Sequence, residues 1–211
     1  MRILSLNIRG LGSLAKQKSL RHLLSSLSPD VVLLQETMTS PYPALYAFSK
    51  LCPGWEFCAL SSNGLSGGIL SGWNPKIIKC KVFQTAAGIL LNASIRGSHL
   101  KLSILNCYGP YLNRDSFWNV VASSGLLSLP NLILAGDLNR TLNSSEIWGS
   151  KAHPDPLGPF FSKLFSDHHL VDVASCASPT WRNGRMGEDG ISKRLDCFLL
   201  SDQLVNLLKR Y

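Results

Sequence analysis

Two short runs in this chain are apolar at every position, Val31-Val32-Leu33-Leu34 and Leu132-Ile133-Leu134-Ala135. A strand with one wet face alternates. Unbroken apolar runs of this length, the first opening on two β-branched residues, describe strands covered on both faces. Each run ends in polar groups, Gln35-Glu36 in one case and Gly136-Asp137-Leu138-Asn139 in the other. Other strand-like runs end the same way. Asn7 follows Arg2 to Leu6, Asn106 and Tyr108 close the run over 100–107, and Asp196 lies inside the run over 195–200. A carboxylate in or beside a buried strand is costly unless it is paired, hydrogen-bonded or metal-bound. Strand tips converging on one rim would gather oxygen ligands for a hard divalent cation, which keeps waters for a substrate phosphate. The local alternative is that each is a turn or cap group, with Asp137 and Asn139 forming an Asx-turn.

Between these runs the pattern changes period. Ser13 can cap a helix carrying Leu14, Leu20, Leu23, Leu24 and Leu27, which must stop at Ser28-Pro29-Asp30. A short helix is expected over Pro41–Leu51, a strand over 55–60, and a glycine-rich loop over 63–68. Strands are expected over 77–83, 88–95 and 100–107, the last two joined at Gly97-Ser98 as an antiparallel hairpin. Helices follow over 114–127 and within 154–165, then a short strand over 170–173 and a last helix capped by Asp202. The 211 residues show no repeat or long linker and read as one domain, with 45% hydrophobic residues to fill a core. No run of about 18 apolar residues occurs, so no membrane span is expected. The N-terminus turns polar too soon for a signal peptide. Cys52, Cys58, Cys80, Cys107, Cys176 and Cys197 form no CxxC pair and read as small buried hydrophobes in a reducing, intracellular setting, nucleus or cytoplasm. Lys and Arg number 21 against 13 acidic residues, a net charge of +8 that suits a polyanionic partner.

The motifs, taken in order, resemble the endonuclease/exonuclease/phosphatase superfamily, and within it the endonuclease domains of plant LINE-type (non-LTR) retroelements. The carrying segments are Ile3-Leu4-Ser5-Leu6-Asn7-Ile8-Arg9-Gly10-Leu11-Gly12, Pro29-Asp30-Val31-Val32-Leu33-Leu34-Gln35-Glu36-Thr37 and Asn106-Cys107-Tyr108-Gly109-Pro110. Leu134-Ala135-Gly136-Asp137-Leu138-Asn139, Thr180-Trp181-Arg182-Asn183 and Ser192-Lys193-Arg194-Leu195-Asp196 complete the set. The resemblance implies an α/β fold, a four-layer α/β sandwich with two mixed β-sheets, lacking the last family strand. It also implies the site residues. Glu36 would be the main ligand of Mg²⁺, with Mn²⁺ as the alternative, and Asn7 would stand beside it. Asp137 would orient or deprotonate the attacking water, Asn139 would hold a phosphate oxygen and position Asp137, and Tyr108 would contact the phosphate. Asp196 matches a buried carboxylate that orients a catalytic histidine. That histidine belongs to a Ser-Asp-His segment, and residues 201–203 read Ser-Asp-Gln instead and match the stretch before it. The chain is therefore expected to be a C-terminally truncated domain over residues 1–211, with reduced nuclease activity on DNA and RNA as the other candidate substrate. Arg9, Trp181, Arg182, Asn183 and Arg194 are the expected nucleic-acid contacts, although Trp181 could pack in the core or at the rim and Arg194 could pair with Asp196 or a neighbouring carboxylate. The alternative function is a non-catalytic nucleic-acid-binding or interaction protein, which could self-associate through an exposed sheet edge.

Overall fold

The computed structural model describes residues 1–63, 66–173 and 178–209. It is an α/β fold built on two large mixed β-sheets with helices against them. The chain divides into two compact units, Met1–Tyr108 and Gly109–Tyr211.

The first unit contains β1 (Ile3–Asn7), α1 (Leu14–Leu27), β2 (Val31–Gln35), α2 (Pro41–Leu51), β3 (Glu56–Asn63), β4 (Ser66–Trp73), β5 (Ile78–Thr85), β6 (Gly88–Ile95) and β7 (Lys101–Tyr108). Four strands form a sheet in the order β1-β2-β4-β3, with β1 parallel to β2 and the other pairs antiparallel. Every residue of β2 is buried, as its unbroken apolar run requires. Val32 and Leu34 face α1 and α2, where Leu20, Ala44, Ala47 and Phe48 close a core with Leu11 and Leu70. The opposite face of the sheet meets β6 and β7, which with β5 form an antiparallel meander. Helices, sheet and meander thus make successive layers within this unit. Among the described residues β1 has β2 as its one strand neighbour, and it is half-buried along its whole length.

Asn106 binds the two sheet layers together. It lies in β7 with no exposure at all. Its amide nitrogen donates to Leu70 O and Ser71 Oγ, each at 3.0 Å, and its Oδ1 accepts from Gln35 Nε2 at 2.7 Å. Gln35 Nε2 also donates to Ser5 Oγ at 3.1 Å. β6 comes very close here. A Cβ on Gly88, whose φ is +141°, would stand 2.1 Å from Asn106 O, so only glycine fits.

The second unit contains α3 (Arg114–Ser123), β8 (Leu132–Asp137), β9 (Ile147–Trp148), α4 (Gly158–Asp167), β10 (Leu170–Asp172), β11 (Trp181–Arg182), β12 (Ser192–Lys193), β13 (Asp196–Ser201) and α5 (Asp202–Leu208). β13 pairs antiparallel with both β8 and β10. A small separate sheet runs β11-β12-β9. Trp118 of α3 meets Phe161 and Phe165 of α4 edge-on.

The sequence expectations need correction at three places. The glycine-rich stretch over 63–68 is mostly strand, since β3 reaches Asn63 and β4 begins at Ser66, with Ser62 opposite Gly67; Gly64 and Leu65 lie outside the described residues. The helix expected over 114–127 ends at Ser123, because Gly125 takes a left-handed φ of +77° and a 3-10 turn follows over Leu126–Ser128. Ser201, not Asp202, caps α5 by accepting from Leu204 N. Cys52, Cys58, Cys80 and Cys197 are free thiols and Cys107 is fully buried in β7; burial pushes Cys52 up to about 11 and Cys80 and Cys197 up to about 12, which keeps those three protonated at neutral pH. Cys176 lies outside the described residues.

Replacing Asn106 by leucine keeps the branched shape but takes a partner from each of Gln35 Nε2, Ser71 Oγ and Leu70 O in a dry layer. The variant should lose on the order of 3 kcal/mol of stability, read as a lower urea midpoint at unchanged slope. A midpoint equal to the parent chain's would show that the amide does not join the layers.

Candidate active site

β1 and β2 are parallel and in register with Asn7 opposite Gln35, so both strands deliver their polar ends at one end of the sheet. Glu36 is the next residue, and its φ of +50° turns the chain sharply out of the strand. The turn is held by Gly10 N donating to Glu36 O at 2.7 Å, Leu11 N to Thr37 O at 2.9 Å and Thr37 N to Gly68 O at 3.0 Å. Glu36 Oε1 then accepts two hydrogen bonds, from Asn7 Nδ2 at 2.9 Å and from the Tyr108 hydroxyl at 3.0 Å. The structure therefore brings Asn7, Glu36 and Tyr108 together. The bond to Glu36 gives Tyr108 a polar role and not packing alone. Arg9 is exposed beside this cluster. Its backbone N donates to Asn7 Oδ1 at 3.2 Å, and its carbonyl accepts from Lys16 Nζ.

The donors fit a hard cation. Glu36 supplies one carboxylate and Asn7 an amide oxygen, a small all-oxygen set of the kind that Mg²⁺ takes while keeping waters. Among the described residues no group of three or more His, Cys, Asp or Glu side chains gathers as a metal cluster.

In the second unit the buried strand β8 ends at Asp137, 3% exposed, directly opposite Asp196 of β13. Asn139 adopts a left-handed φ of +49°, and its backbone N donates to Asp137 Oδ1 at 3.0 Å. This is the Asx-turn that the spacing allows. The Asn139 amide donates to Gly109 O at 2.6 Å, and Gly109 N donates to Asp137 O at 2.8 Å. A side chain on Gly109 would strike Leu138 O at 2.3 Å. Arg114 donates to Asn139 O at 2.9 Å and clamps Asp155 through both guanidinium nitrogens at 2.5 and 2.8 Å. Thr180 Oγ1 accepts from the backbone N of Leu195 and of Asp196, which anchors the Thr180-Trp181 segment beside β13.

Arg194 departs from its expected place at a nucleic-acid surface. It is 7% exposed, and its guanidinium bonds Asp172 at 2.6 and 3.0 Å and Glu146 at 2.5 Å. Fully buried Arg140 joins the same cluster, reaching Asp172 at 2.9 Å and Glu146 at 3.5 Å, with Phe165 against its guanidinium. Two arginines and two carboxylates thus balance in the interior, as buried charge demands. Asn183 is also occupied locally. Its Oδ1 accepts from Arg185 N and Ile191 N, and its amide donates to Asp189 O. Of the expected contacts in this unit, Arg182 is exposed and Trp181 half-buried. Sequence reasoning passed over Arg140 and Glu146, and it placed Gln35 at a strand end without its partner Asn106. The one available signal was Asp172, a charge within the apolar run over 170–173.

The sequence profile of the endonuclease/exonuclease/phosphatase family matches residues 4–205. The chain belongs to that family. Among solved structures it is similar to the endonuclease domain of TRAS1, a telomere-specific non-LTR retrotransposon, at 16% identity and a TM-score of 0.70, covering 98% of this chain and 87% of that one. It is similar to the AP endonuclease LMAP of Leishmania major at 18% identity and 0.73, covering 97% and 80%. An AP endonuclease of Archaeoglobus fulgidus gives 15% and 0.76, covering 98% and 88%. Identities this low establish the shared fold. No curated protein matches the chain by sequence.

Burial raises the Asp172 and Asp155 carboxyls, but hydrogen bonds from Arg194 and Arg140 to the first, and from Arg114 to the second, outweigh it and hold both below the ordinary value of 3.8. Each therefore contributes stability that is complete above 3.8 and lost as pH falls through the lower folded value. Thermal unfolding should be flat from neutral pH down to the carboxylate range and then drop. Asp172→Asn should lower stability at neutral pH by about 3 kcal/mol, since two buried arginines lose a charged partner, and should flatten the acid limb. An unchanged acid limb would refute the assignment.

Proposed function

We propose that this chain is a Mg²⁺-dependent phosphodiesterase of the endonuclease type acting on DNA, derived from a retroelement endonuclease. The observation that carries the reading is Glu36. Its carboxylate stands at the end of two parallel strands, with one oxygen held by Asn7 and Tyr108. Glu36 and Asn7 would hold the ion, which when bound supplies positive charge to phosphoryl oxygens. Asp137 would take a proton from the attacking water. Its carboxylate is oriented by Asn139 N, which supports the positioning half of the role expected for Asn139. The Tyr108 hydroxyl, already a donor to Glu36, would donate to the phosphate or the leaving oxygen. Asp196 would orient a histidine. Arg9, Trp181 and Arg182 would contact the nucleic acid, while Arg194 and Asn183 act through the frame they hold. The net charge of +8 favours nucleic acid over a small phosphomonoester.

A polypeptide of these 211 residues carries no Ser-Asp-His segment after Asp196; its one such triplet, Ser166-Asp167-His168, closes α4. Loss of one preorganised transition-state partner lowers rates by about 10²–10⁴-fold. Purified protein should nick supercoiled plasmid slowly, with Mg²⁺ or Mn²⁺ and not with a chelator. Glu36→Gln and Asp137→Asn should each abolish the nicking, and a version extended by a Ser-Asp-His strand should restore speed. Nicking that survives both substitutions would refute the mechanism. Binding without nicking, even in the extended version, would favour the non-catalytic reading.

Self-association is favoured by a separate observation, the half-buried edge of β1. Sedimentation should show mass rising with concentration, and Ser5→Pro should suppress the rise. A monomer at every concentration would exclude it.

A further inference from the structure

The positive charge of the chain is unevenly spread. Residues 57–108 contain no Asp or Glu, and they carry Lys76, Lys79, Lys81, Arg96 and Lys101. Three of these lysines fall on one face of the meander. β5 pairs with β6 so that Lys79 is opposite Ser94 and Lys81 opposite Asn92. β6 pairs with β7 so that Ser94 is opposite Lys101. Side chains directly opposite in a sheet share a face, so Lys79, Ser94 and Lys101 form one row, with Lys81 and Asn92 in the next. The other face of the same strands carries Ile89, Leu91, Ala93, Leu102 and Ile104, all buried. Ser103 completes the second row opposite Asn92 and is buried, while the other five residues of the two rows are exposed. Among the described residues neither Lys79 nor Lys81 is in an ion pair, and Lys81 lies 5.1 Å from the ring of Phe83.

We propose that this face is a second binding surface for the phosphate backbone of a nucleic acid. It deepens the reading of the chain as acting on nucleic acid, and rests on it. Two residues along a strand advance about 6.7 Å, or about two duplex steps of 3.4 Å, so Lys79 and Lys81 stand at the axial spacing of alternate phosphates on one strand. Lys79 and Lys101 stand about 9.6 Å apart across two strand spacings, wide enough to flank that track, with the Ser94 hydroxyl between them. The Asn92 amide adds a neutral donor to the second row. Such contacts position a backbone and carry no sequence information. The row lies seven residues from Tyr108 along β7, about 23 Å, so its lysines can be changed without touching Glu36, Asn7 or Tyr108. A flat row of polar and charged groups with one half-exposed aromatic fits a backbone better than a bilayer, which asks for a substantial inserted apolar face.

The test is binding of a fluorescent DNA duplex by fluorescence anisotropy, in chelator so that nothing is cut, across a salt series. Each phosphate contact contributes about 0.9 to the slope of log K against log salt. Lys79→Gln/Lys81→Gln should flatten the slope by about 1.8, so that between 50 and 200 mM salt the parent loses about twelvefold more affinity than the variant. Lys79→Arg/Lys81→Arg should keep the parental slope, and all three proteins should unfold at one temperature, since the positions are exposed. An unchanged slope in the glutamine variant, or no duplex binding by the parent, would overturn the proposal. So would lysine-dependent binding to phosphatidylserine vesicles without lysine-dependent binding to DNA. Plasmid nicking by the parent and by Glu36→Gln is scored separately. Glu36-dependent nicking with an unchanged slope sinks this surface and leaves the catalytic reading standing; a flattened slope without nicking does the reverse.

Discussion

A buried amide in an apolar layer must satisfy both its oxygen and its nitrogen, and Asn106 does so only by reaching across to the facing sheet. Its partners are Gln35 on β2 and Leu70 and Ser71 on β4. Those bonds set where β7 lies against β2 along the strand direction, because a shift of one residue would turn Asn106 away from the layer and put an apolar neighbour in its place. The consequence falls on the adjoining residues. Glu36 follows Gln35, and Tyr108 comes two residues after Asn106 on the strand. The hydrogen bond from the Tyr108 hydroxyl to Glu36 exists because the two buried amides beneath have fixed the strands. Deep polar groups of this kind add less to stability than to uniqueness of arrangement, since any other register leaves them unpaired.

The second unit reaches the same end by ionic means. Asp137 and Asn139 leave a buried strand through a left-handed turn, and the chain must then be kept from drifting. Arg140, the next residue, is locked between Glu146 and Asp172, while Arg114 holds Asn139 O and Asp155. Arg194, two residues before Asp196, is fixed by the same two acids as Arg140. Both strand ends that carry a carboxylate, Asp137 and Asp196, are thus flanked by an arginine anchored in one cluster. The full charge balance is what makes the arrangement tolerable in the interior, since one unpaired member would cost more than the pair contributes.

Much of this was legible in the residue order. The unbroken apolar runs identified β2 and β8, the polar tips identified Asn7, Glu36, Tyr108, Asp137 and Asn139, and Gly97-Ser98 identified the β6-β7 hairpin. What escaped was partnership across long sequence separation. Arg194 sits among basic residues in a polar stretch and looks like a surface group. Its partners are 48 and 22 residues away, and no local pattern connects them. Asn183 misleads for a related reason, because a loop-forming amide and a substrate-facing amide have the same composition around them. Strand limits shifted over the glycine-rich stretch, where β3 reaches Asn63 and β4 begins at Ser66, since glycine marks a turn without fixing how long the flanking strands run.

The distribution of charge follows from where the acids are placed more than from where the bases are. The stretch over 57–108 holds five Lys or Arg, a density close to that of the whole chain with its 21 in 211 residues. Its potential is positive because no carboxylate lies within it. In the second unit, by contrast, Asp155, Glu146 and Asp172 are used to neutralise Arg114, Arg140 and Arg194. Arginines buried this way contribute little to a long-range field, because each pair cancels at short range, whereas Lys79 and Lys81, in no ion pair among the described residues, are attenuated only by salt, over a Debye length of about 10 Å at 0.1 M. A net charge of +8 is therefore a poor guide to where a polyanion would sit. The informative quantity is the charge left after internal pairing, and on that measure the outward face of β5 to β7 stands out, although its basic residues are no denser than average.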